Sequence, residues 1–275
     1  MTRLTMETID DVIELVVDHG AEDLDLRAVR FVDPYALLLL DLLATRSDDR
    51  SMRIAWPETP AVRGWMRAMG LFSDIGIARG ASPSPRDLES TLQPIVEIAD
   101  EDRIGRVVDG FHHRLEERYP LTESSRRALV AIMIELFQNI PHHSNASGEA
   151  DDARGIAAMQ DYEGSIVLAV ADDGIGLRGS LGLRPGFEDL SDADALRAIL
   201  DGGISRFADP GRGGELKRIA AVVRSWDGVF ALRSGTALLY FNTEGGDIYD
   251  VPEFPGVQLG LRLPRHVFGI ETVDP

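Results

Sequence analysis

A run of six apolar residues at 166–171 constrains the fold of this chain more than any other feature, because Asp172, Asp173 and a Gly-Ile-Gly turn follow it directly. Its length and its aliphatic, partly β-branched content predict a buried strand. A strand that ends in aspartate and turns through glycines places a carboxylate at the edge of a sheet, where backbone can approach a ligand closely. The simpler alternative is an Asp-Gly turn that binds nothing.

Two further segments carry residues that can bind a divalent metal or a phosphate. Glu135 and Asn139 are four residues apart on an apolar helix, so they share one face and can together hold a divalent metal and orient a water. A glycine-rich stretch leads directly into another helix and offers backbone amides to a phosphate. Its residues are Gly211, Arg212, Gly213 and Gly214. Taken singly, the first pair also fits a solvated helix face, and the glycine-rich stretch also fits a flexible loop with a helix cap.

In this order, the three segments resemble the N, G1 and G2 boxes of the GHKL superfamily of ATP-binding domains. That superfamily includes DNA gyrase, the heat-shock chaperones, histidine kinases and anti-sigma kinases. The resemblance covers about residues 90–265. It implies a Bergerat-fold α/β sandwich with a mixed, mostly antiparallel sheet, which binds ATP together with Mg²⁺.

The resemblance also implies a role for each matching residue. Asn139 corresponds to the magnesium-binding Asn, and Glu135 to an acidic residue near the metal that activates the attacking water in members that hydrolyse ATP. Asp172 corresponds to the Asp that accepts a hydrogen bond from the adenine amino group. The other cofactor-binding candidates are His143, Gly174, Gly176, Gly211, Arg212, Gly213, Gly214 and Lys217.

Two departures from the family pattern bear on hydrolysis more than on binding. Pro141 is expected to end the N-box helix early, which would displace His142 and His143 from their places in the family. The third glycine of the G2 box is replaced by Glu215, whose carboxylate repels a triphosphate. Lys217 follows in the same helix, where its charge could offset that of Glu215; the alternative is a lysine that faces solvent.

The beginning of the chain alternates short strands with helices and carries a second resemblance. Asp33 and Pro34 mark a helix start, with Asp as the cap and Pro at the first helical position. The helix that follows is apolar nearly all round, as expected for a helix packed against a sheet. This order of elements, with the segment FVDPYAL at 31–37, is similar to a STAS domain, the fold of anti-anti-sigma factors. Because no serine pair follows Asp33, where phosphorylated members have one, the resemblance implies a docking or regulatory module.

The fold class is therefore predicted as α/β, in two domains. The sequence predicts a STAS-like domain at 1–80, a linker rich in Pro and Ser at 81–90, and a GHKL-type ATP-binding domain at 91–268. The second domain is expected to fold without the first. Residues 177–210 take the place of the ATP lid; they are expected to be irregular, apart from one short helix at Asp192–Leu200, and open to proteolysis without nucleotide.

Composition narrows the choice of partners and location. The chain has 28 basic and 46 acidic residues, with a formal net charge of −18. This charge disfavours nucleic-acid binding and suggests a regulatory protein partner with a basic face. The absence of Cys excludes thiolate chemistry and fits a reducing compartment. No apolar run approaches the roughly 18 residues that span a bilayer, and the N-terminus lacks a signal-peptide pattern, so a cytoplasmic protein without membrane contact is expected.

Two functions stay open at this point. The first is a magnesium-dependent ATPase or a serine kinase of the anti-sigma type that signals through protein partners, as Glu135 suggests. The second is a protein-binding module in which bound nucleotide changes the affinity for a partner without being hydrolysed. Pro141 and Glu215 favour this second function. A third hypothesis is a degenerate domain that binds no nucleotide. Dimerisation stays open, and the paired histidines do not predict a zinc site, because adjacent side chains on a helix diverge by about 100°.

Overall fold

The structure is a computed structural model that describes residues 2–17, 23–46, 52–73, 91–98, 101–143, 154–162, 164–204 and 214–269. For residues 46, 91, 101–102 and 141–143 only the backbone is described. The predicted linker at 81–90 lies outside the described residues.

The described residues of the N-terminal part, between 2 and 73, form four short strands and three helices. They are β1 (Thr2–Leu4), α1 (Asp10–Val17), β2 (Asp23–Asp25), β3 (Val29–Val32), α2 (Pro34–Arg46), β4 (Arg53–Ala55) and α3 (Pro60–Ala68). Strands β1 and β3 form one parallel pair, and β2 and β4 form another. Asp33 caps α2 as predicted, since its Oδ1 accepts the N–H of Ala36 at 2.9 Å.

The C-terminal part, residues 91–269, contains five helices, a five-stranded sheet and a final 3₁₀ turn among its described residues. In chain order these are β5 (Thr91–Glu97), α4 (Glu101–Arg118), α5 (Glu123–His143), β6 (Gly155–Tyr162), β7 (Ser165–Asp172), α6 (Gly176–Gly182), α7 (Asp192–Leu200), α8 (Glu215–Ser225), β8 (Val229–Asn242), β9 (Gly245–Pro264) and the turn Arg265–Phe268. The predicted α/β class is confirmed.

The sheet has the strand order β5-β6-β7-β9-β8, and each of its neighbouring pairs is antiparallel. The parallel pairs that a mixed sheet would contain occur instead in the N-terminal part. Helices α4 to α8 cover one face of the sheet, where Phe111 of α4 meets Phe137 of α5 edge to face at 5.4 Å. In the part of the chain that the structure describes, no helix combines the length and apolar character needed to cross a bilayer.

The N-terminal part covers the opposite face of the same sheet. Helix α2 is the centre of this contact, and its residues from Tyr35 to Ala44 are all buried. The apolar residues among them form a single cluster with eight buried sheet residues, which are Ile156, Ala158, Val167, Ala169, Ala171, Ala231, Leu238 and Phe254. Gly260 lets Tyr35 approach, because a Cβ at that position would lie 2.8 Å from the Tyr35 ring.

Ion pairs cross the contact between the two parts at several points. Arg154, which precedes β6, pairs with Asp41 of α2 at 2.8 Å, and Arg262 of β9 pairs with Glu7 at 2.9 Å. Arg233 of β8, which has no exposed surface, pairs with Asp10 of α1. The domain boundary at 81–90 stays a prediction, but a shared core and these pairs do not favour independent folding of residues 88–275.

Helix α5 differs from the sequence-based expectation at its C-terminal end. It continues to His143, so the prediction that Pro141 ends it is wrong. Proline removes its own helical hydrogen bond and disfavours helical backbone at the preceding residue. That preceding residue, Ile140, is buried, and it packs so closely on Gly155 that no Cβ would fit between them. Tertiary packing therefore outweighs the local preference.

The segment predicted as a lid is also more ordered than expected. The helix at Asp192–Leu200 is confirmed, but α6 precedes it, and both helices bury apolar residues in the core. Asp192 fixes the start of α7, because its Oδ2 accepts both the N–H and the hydroxyl of Thr236 at 3.0 Å. The expectation of a largely irregular segment is therefore wrong for residues 177–204, and residues 205–210 lie outside the described residues.

Candidate functional site

An open pocket lies between the sheet and helices α5, α6, α7 and α8. It encloses about 750 Å³ of empty space, a volume that includes open solvent at its mouth. Its apolar lining residues are Leu136, Ile140, Val170, Leu177, Leu181, Ile199, Ile204, Leu216, Val257 and Leu259. The remaining lining residues are Asn139, Asp172, Ser180, Gly214 and Glu215. Among the described residues, no Lys, Arg or His lines this pocket.

Asp172 is the last residue of β7 and presents a buried carboxylate to the pocket, with 6% of its surface exposed. Its Oδ1 accepts the N–H of Gly174 at 2.9 Å, and the N–H of Val257 also donates to the carboxylate. Burial raises the pKa of Asp172 to about 7, and the charge of Asp173 acts in the same direction. Two backbone donors therefore orient a carboxylate that has lost most of its contact with water.

Glycines on β9 and in the turn after β7 allow the backbone to approach neighbouring segments closely. Gly256 has a φ of +76°, and a Cβ there would lie 2.7 Å from Asp172 Oδ1. Gly176, with a φ of +70°, would place a Cβ 2.8 Å from Ser234 Oγ. That hydroxyl oxygen accepts the N–H of Leu177 at 2.8 Å. The space around Gly176 is thus filled by protein, so packing alone explains why glycine is required there.

Sequence reasoning did not identify three residues that hold Asp172 and its turn. They are Ser234, Gly256 and Gln258, and the Nε2 of Gln258 donates to the carbonyl oxygen of Asp172 at 3.0 Å. The Pro-Gly pair at 255–256 was the available signal, because glycine inside a strand marks a bulge or a close backbone approach. Ser234 and Gln258 carry no such signal, since their contacts depend on strand register.

The pocket is also lined by residues predicted to face metal and phosphate. Asn139 lines the pocket, whereas Glu135, one helical turn earlier on α5, is not among the lining residues. Burial raises the pKa of Glu135, the negative charge of Glu215 raises it further, and Arg218 opposes them. Glu215 is also paired with Arg218 at 3.4 Å. Glu135 on α5 is therefore close enough to Glu215, at the start of α8, for the charge of Glu215 to raise its pKa.

The glycine-rich stretch is described only at its end. Gly214 lines the pocket with a φ of +83° and immediately precedes α8, so the first N–H groups of that helix have no intrahelical acceptor. Gly211, Arg212 and Gly213 lie outside the described residues, and at His143 only the backbone is described. Lys217 is directed elsewhere: its Nζ donates to the carbonyl oxygen of Asp201, next to the end of α7, at 2.6 Å.

The polar residues of the pocket have a chemistry that suits a nucleotide together with Mg²⁺. The apolar walls and the Asp172 carboxylate suit a base that carries an amino group. Nowhere in the described chain do three or more His, Asp, Glu or Cys side chains meet to hold a metal. Mg²⁺ is commonly held by one or two protein groups together with phosphate oxygens and water. Asn139 and the nearby carboxylates could serve in that way.

No protein-family model matches this chain, and no curated protein matches it either. The GHKL and STAS resemblances therefore stay predictions that depend on the motifs.

The raised pKa values of Asp33 and Asp172, each about 7, predict how stability depends on pH. A carboxyl whose pKa is higher in the folded state stabilises the fold fully below its unfolded pKa of about 4, and this contribution is lost as the pH rises through 7. We expect the free energy of unfolding to fall between pH 6 and 8 by about 1 kcal/mol for each group. Urea unfolding at both pH values measures the change.

Asn at either position is neutral at every pH and serves as the matched control. Asp33→Asn and Asp172→Asn should each reduce the fall in the free energy of unfolding between pH 6 and 8 by about 1 kcal/mol. A variant whose unfolding free energy keeps the wild-type slope between pH 6 and 8 contradicts the raised pKa of that residue.

Proposed function

We propose that this protein binds an adenine nucleotide together with Mg²⁺ in the pocket between the sheet and helices α5 to α8, and that the bound nucleotide controls signalling to protein partners. One observation carries the proposal: a buried carboxylate, Asp172, lies in an otherwise mostly apolar pocket and is held there by two backbone N–H groups. Burial raises the pKa of this carboxyl to about 7 even with both backbone donors present, so a further donor would stabilise its ionised form. A bound amino group supplies that donor.

The chemistry of Asp172 favours adenine over guanine. An ionised carboxylate only accepts hydrogen bonds, so it pairs with the amino group of adenine and repels the carbonyl oxygen that guanine has at the same position. The apolar walls around it, such as Val170, Leu177 and Ile199, can contact the faces of a flat base. The Gly174 and Val257 N–H groups keep the carboxylate in place before the ligand arrives.

Among the described residues of the pocket, the groups that can meet phosphates or their metal are backbone N–H groups and an amide rather than cationic side chains. The first N–H groups of α8 follow Gly214, and a helix N-terminus attracts anions. Asn139 offers an amide oxygen to a cation from α5. Bound Mg²⁺ would supply the positive charge that offsets Glu135, Glu215 and the phosphates. We therefore expect ATP to bind more tightly with Mg²⁺ than without it.

The role of Glu135 distinguishes a protein that hydrolyses ATP from one that only binds it. Its raised pKa suits a general base, because proton abstraction is most effective when the pKa of the base is close to the working pH. Its place outside the pocket lining favours the alternative function, in which nucleotide changes the affinity for a protein partner without being hydrolysed. The second function therefore remains a distinct candidate.

Titration calorimetry of the full chain with ATP and GTP, each with Mg²⁺, tests the proposal. We expect ATP to bind more tightly than GTP. Asp172→Asn should weaken ATP binding by about 10- to 100-fold, because it replaces an acceptor of a charged hydrogen bond with an amide. Asp189→Asn makes the same chemical change at an exposed position and should leave the affinity unchanged. Equal ATP affinity in wild type and Asp172→Asn contradicts the proposed site.

A further inference from the structure

Arg154 connects the N-terminal part of the protein to the turn that follows Asp172. Its backbone N–H donates to Asp173 Oδ1 at 2.8 Å, on the C-terminal side of β7. Its guanidinium donates to Asp41 Oδ2, also at 2.8 Å, in the middle of α2. One residue therefore contacts both the neighbour of the pocket carboxylate and the helix at the centre of the N-terminal part.

Asp41 extends this connection to the end of the N-terminal part. Its second carboxylate oxygen, Oδ1, accepts the N–H of Phe72 at 2.7 Å. Phe72 has a φ of +61°, a left-handed backbone conformation that a bulky residue rarely adopts. A single carboxylate thus holds both the turn after α3 and the guanidinium of Arg154.

Burial makes the pair of Asp41 and Arg154 sensitive to small displacements. The two side chains are 3% and 18% exposed, respectively. Solvent screens such a pair poorly, so a shift of either partner changes its energy more than it would at the surface. The turn from Asp172 to Gly176 and the turn at Phe72 are therefore linked through charge-assisted hydrogen bonds rather than through loose contacts.

We propose that Arg154 is a positioning residue through which the nucleotide pocket and the N-terminal part stabilise each other. This inference rests on the proposed nucleotide binding at Asp172. A ligand on Asp172 restrains its turn, and Asp173 and Arg154 transmit that restraint to Asp41 and the Phe72 turn. Because coupling between two sites is reciprocal, the Asp41–Arg154 pair strengthens nucleotide binding as much as nucleotide stabilises the N-terminal part.

A second ion pair between the two parts provides a control at the other end of the sheet. Arg262 of β9 pairs with Glu7 and lies opposite Val167 of β7. Val167 is five residues before Asp172, about 17 Å away at the rise of an extended strand. Breaking this pair disturbs the same interface, but at a distance from the pocket.

The test measures ATP affinity with Mg²⁺ by calorimetry in full-length variants. Arg154→Met removes the guanidinium and keeps the backbone N–H on Asp173, whereas Asp41→Asn keeps an acceptor for Phe72. We expect each variant to bind ATP about tenfold more weakly, within the range of typical site-to-site coupling. The double variant should lose no more than either single one, since both break the same link. Arg154→Lys should restore part of the affinity, and Glu7→Gln should bind as wild type.

Hydrogen exchange supplies a readout that a purely structural role does not move. In the wild type, ATP should slow amide exchange in α2 and in residues 66–73. This effect should disappear in Arg154→Met and persist in Glu7→Gln. If Asp41→Asn does not fold, the Met and Lys variants of Arg154 carry the same comparison.

The outcomes separate this inference from the function on which it rests. Wild-type affinity in Arg154→Met, with ATP still slowing exchange in α2, overturns the coupling and leaves nucleotide binding intact. Equal weakening in Arg154→Met and Glu7→Gln also overturns it, because any break in the interface would then suffice. A wild-type protein that binds no ATP overturns both proposals.

Discussion

Replacing Glu135 by glutamine is expected to lower the rate of phosphate release from Mg-ATP by about 10²–10⁴-fold, the usual contribution of a general base. Gln is nearly isosteric with Glu, so ATP affinity should stay close to the wild-type value. The raised pKa of Glu135, which burial and the charge of Glu215 produce, brings the carboxylate closer to the pH at which it would accept a proton. Steady-state phosphate release and calorimetry on the same samples measure both quantities.

Glu215→Gln is the matched control for this substitution. It removes a neighbouring carboxylate that raises the pKa of Glu135, so the acidic limb of the pH–rate profile should move to lower pH while turnover at neutral pH persists. Turnover at the wild-type rate in Glu135→Gln excludes Glu135 as the base. A wild-type protein that binds ATP without releasing phosphate supports the gated-binding alternative.

Removal of the N-terminal part is expected to abolish cooperative folding of residues 88–275. The eight sheet residues that cluster with α2 would become exposed, at a cost on the order of 10 kcal/mol. That is comparable with the whole stability of a typical protein. Arg233, which has no exposed surface in the full chain, would also lose its partner Asp10. Thermal unfolding followed by near-ultraviolet circular dichroism, together with binding of a hydrophobic dye, should reveal a fragment without fixed packing.

A nicked form of the full chain distinguishes the effect of losing the contact between the two parts from the effect of cutting the chain between them. A protease site inserted between residues 81 and 90 allows cleavage while both parts are present, and the nicked protein should still unfold cooperatively. A monomeric 88–275 fragment that unfolds cooperatively and binds ATP would instead support the two-domain prediction and show that the sheet face tolerates water.

Local sequence patterns predicted most helices and strands, because the residues of these elements suit the environments that they occupy. Asp33 and Pro34 identified the start of α2, and the Ser191 cap, with acidic residues in the first turn, accompanies the correctly predicted α7. Local preference failed at Pro141, where burial of Ile140 keeps the chain helical. The helix α6 was missed because its seven residues include three glycines, which have low helix propensity.

The β8–β9 hairpin shows a different limit. Residues 229–233 and 237–242 have the composition of two separate strands divided by Ser-Gly-Thr, yet they form one strand with irregular register near Gly235. In the first half of β9, residues that are depleted in strands, namely Gly, Asp, Pro and Glu, outnumber the residues typical of strands. Pairing with β8 nevertheless keeps it extended, since Leu238 lies opposite Tyr249 and Leu239 opposite Ile248. Strand register is a long-range property that composition does not reveal.

The sequence by itself determined the α/β character of the chain and the candidate residues for the proposed nucleotide site. Asp172 after an apolar strand, Asn139 on an apolar helix and Gly214 before α8 are local features, and the structure brings all three to one pocket. Only the tertiary structure decided that the N–H of Val257 donates to the carboxylate, next to the close approach that Gly256 allows, and that the N-terminal part covers the second face of the sheet. The physical reason is that burial, register and paired charges arise between segments far apart in sequence, where no local pattern records them.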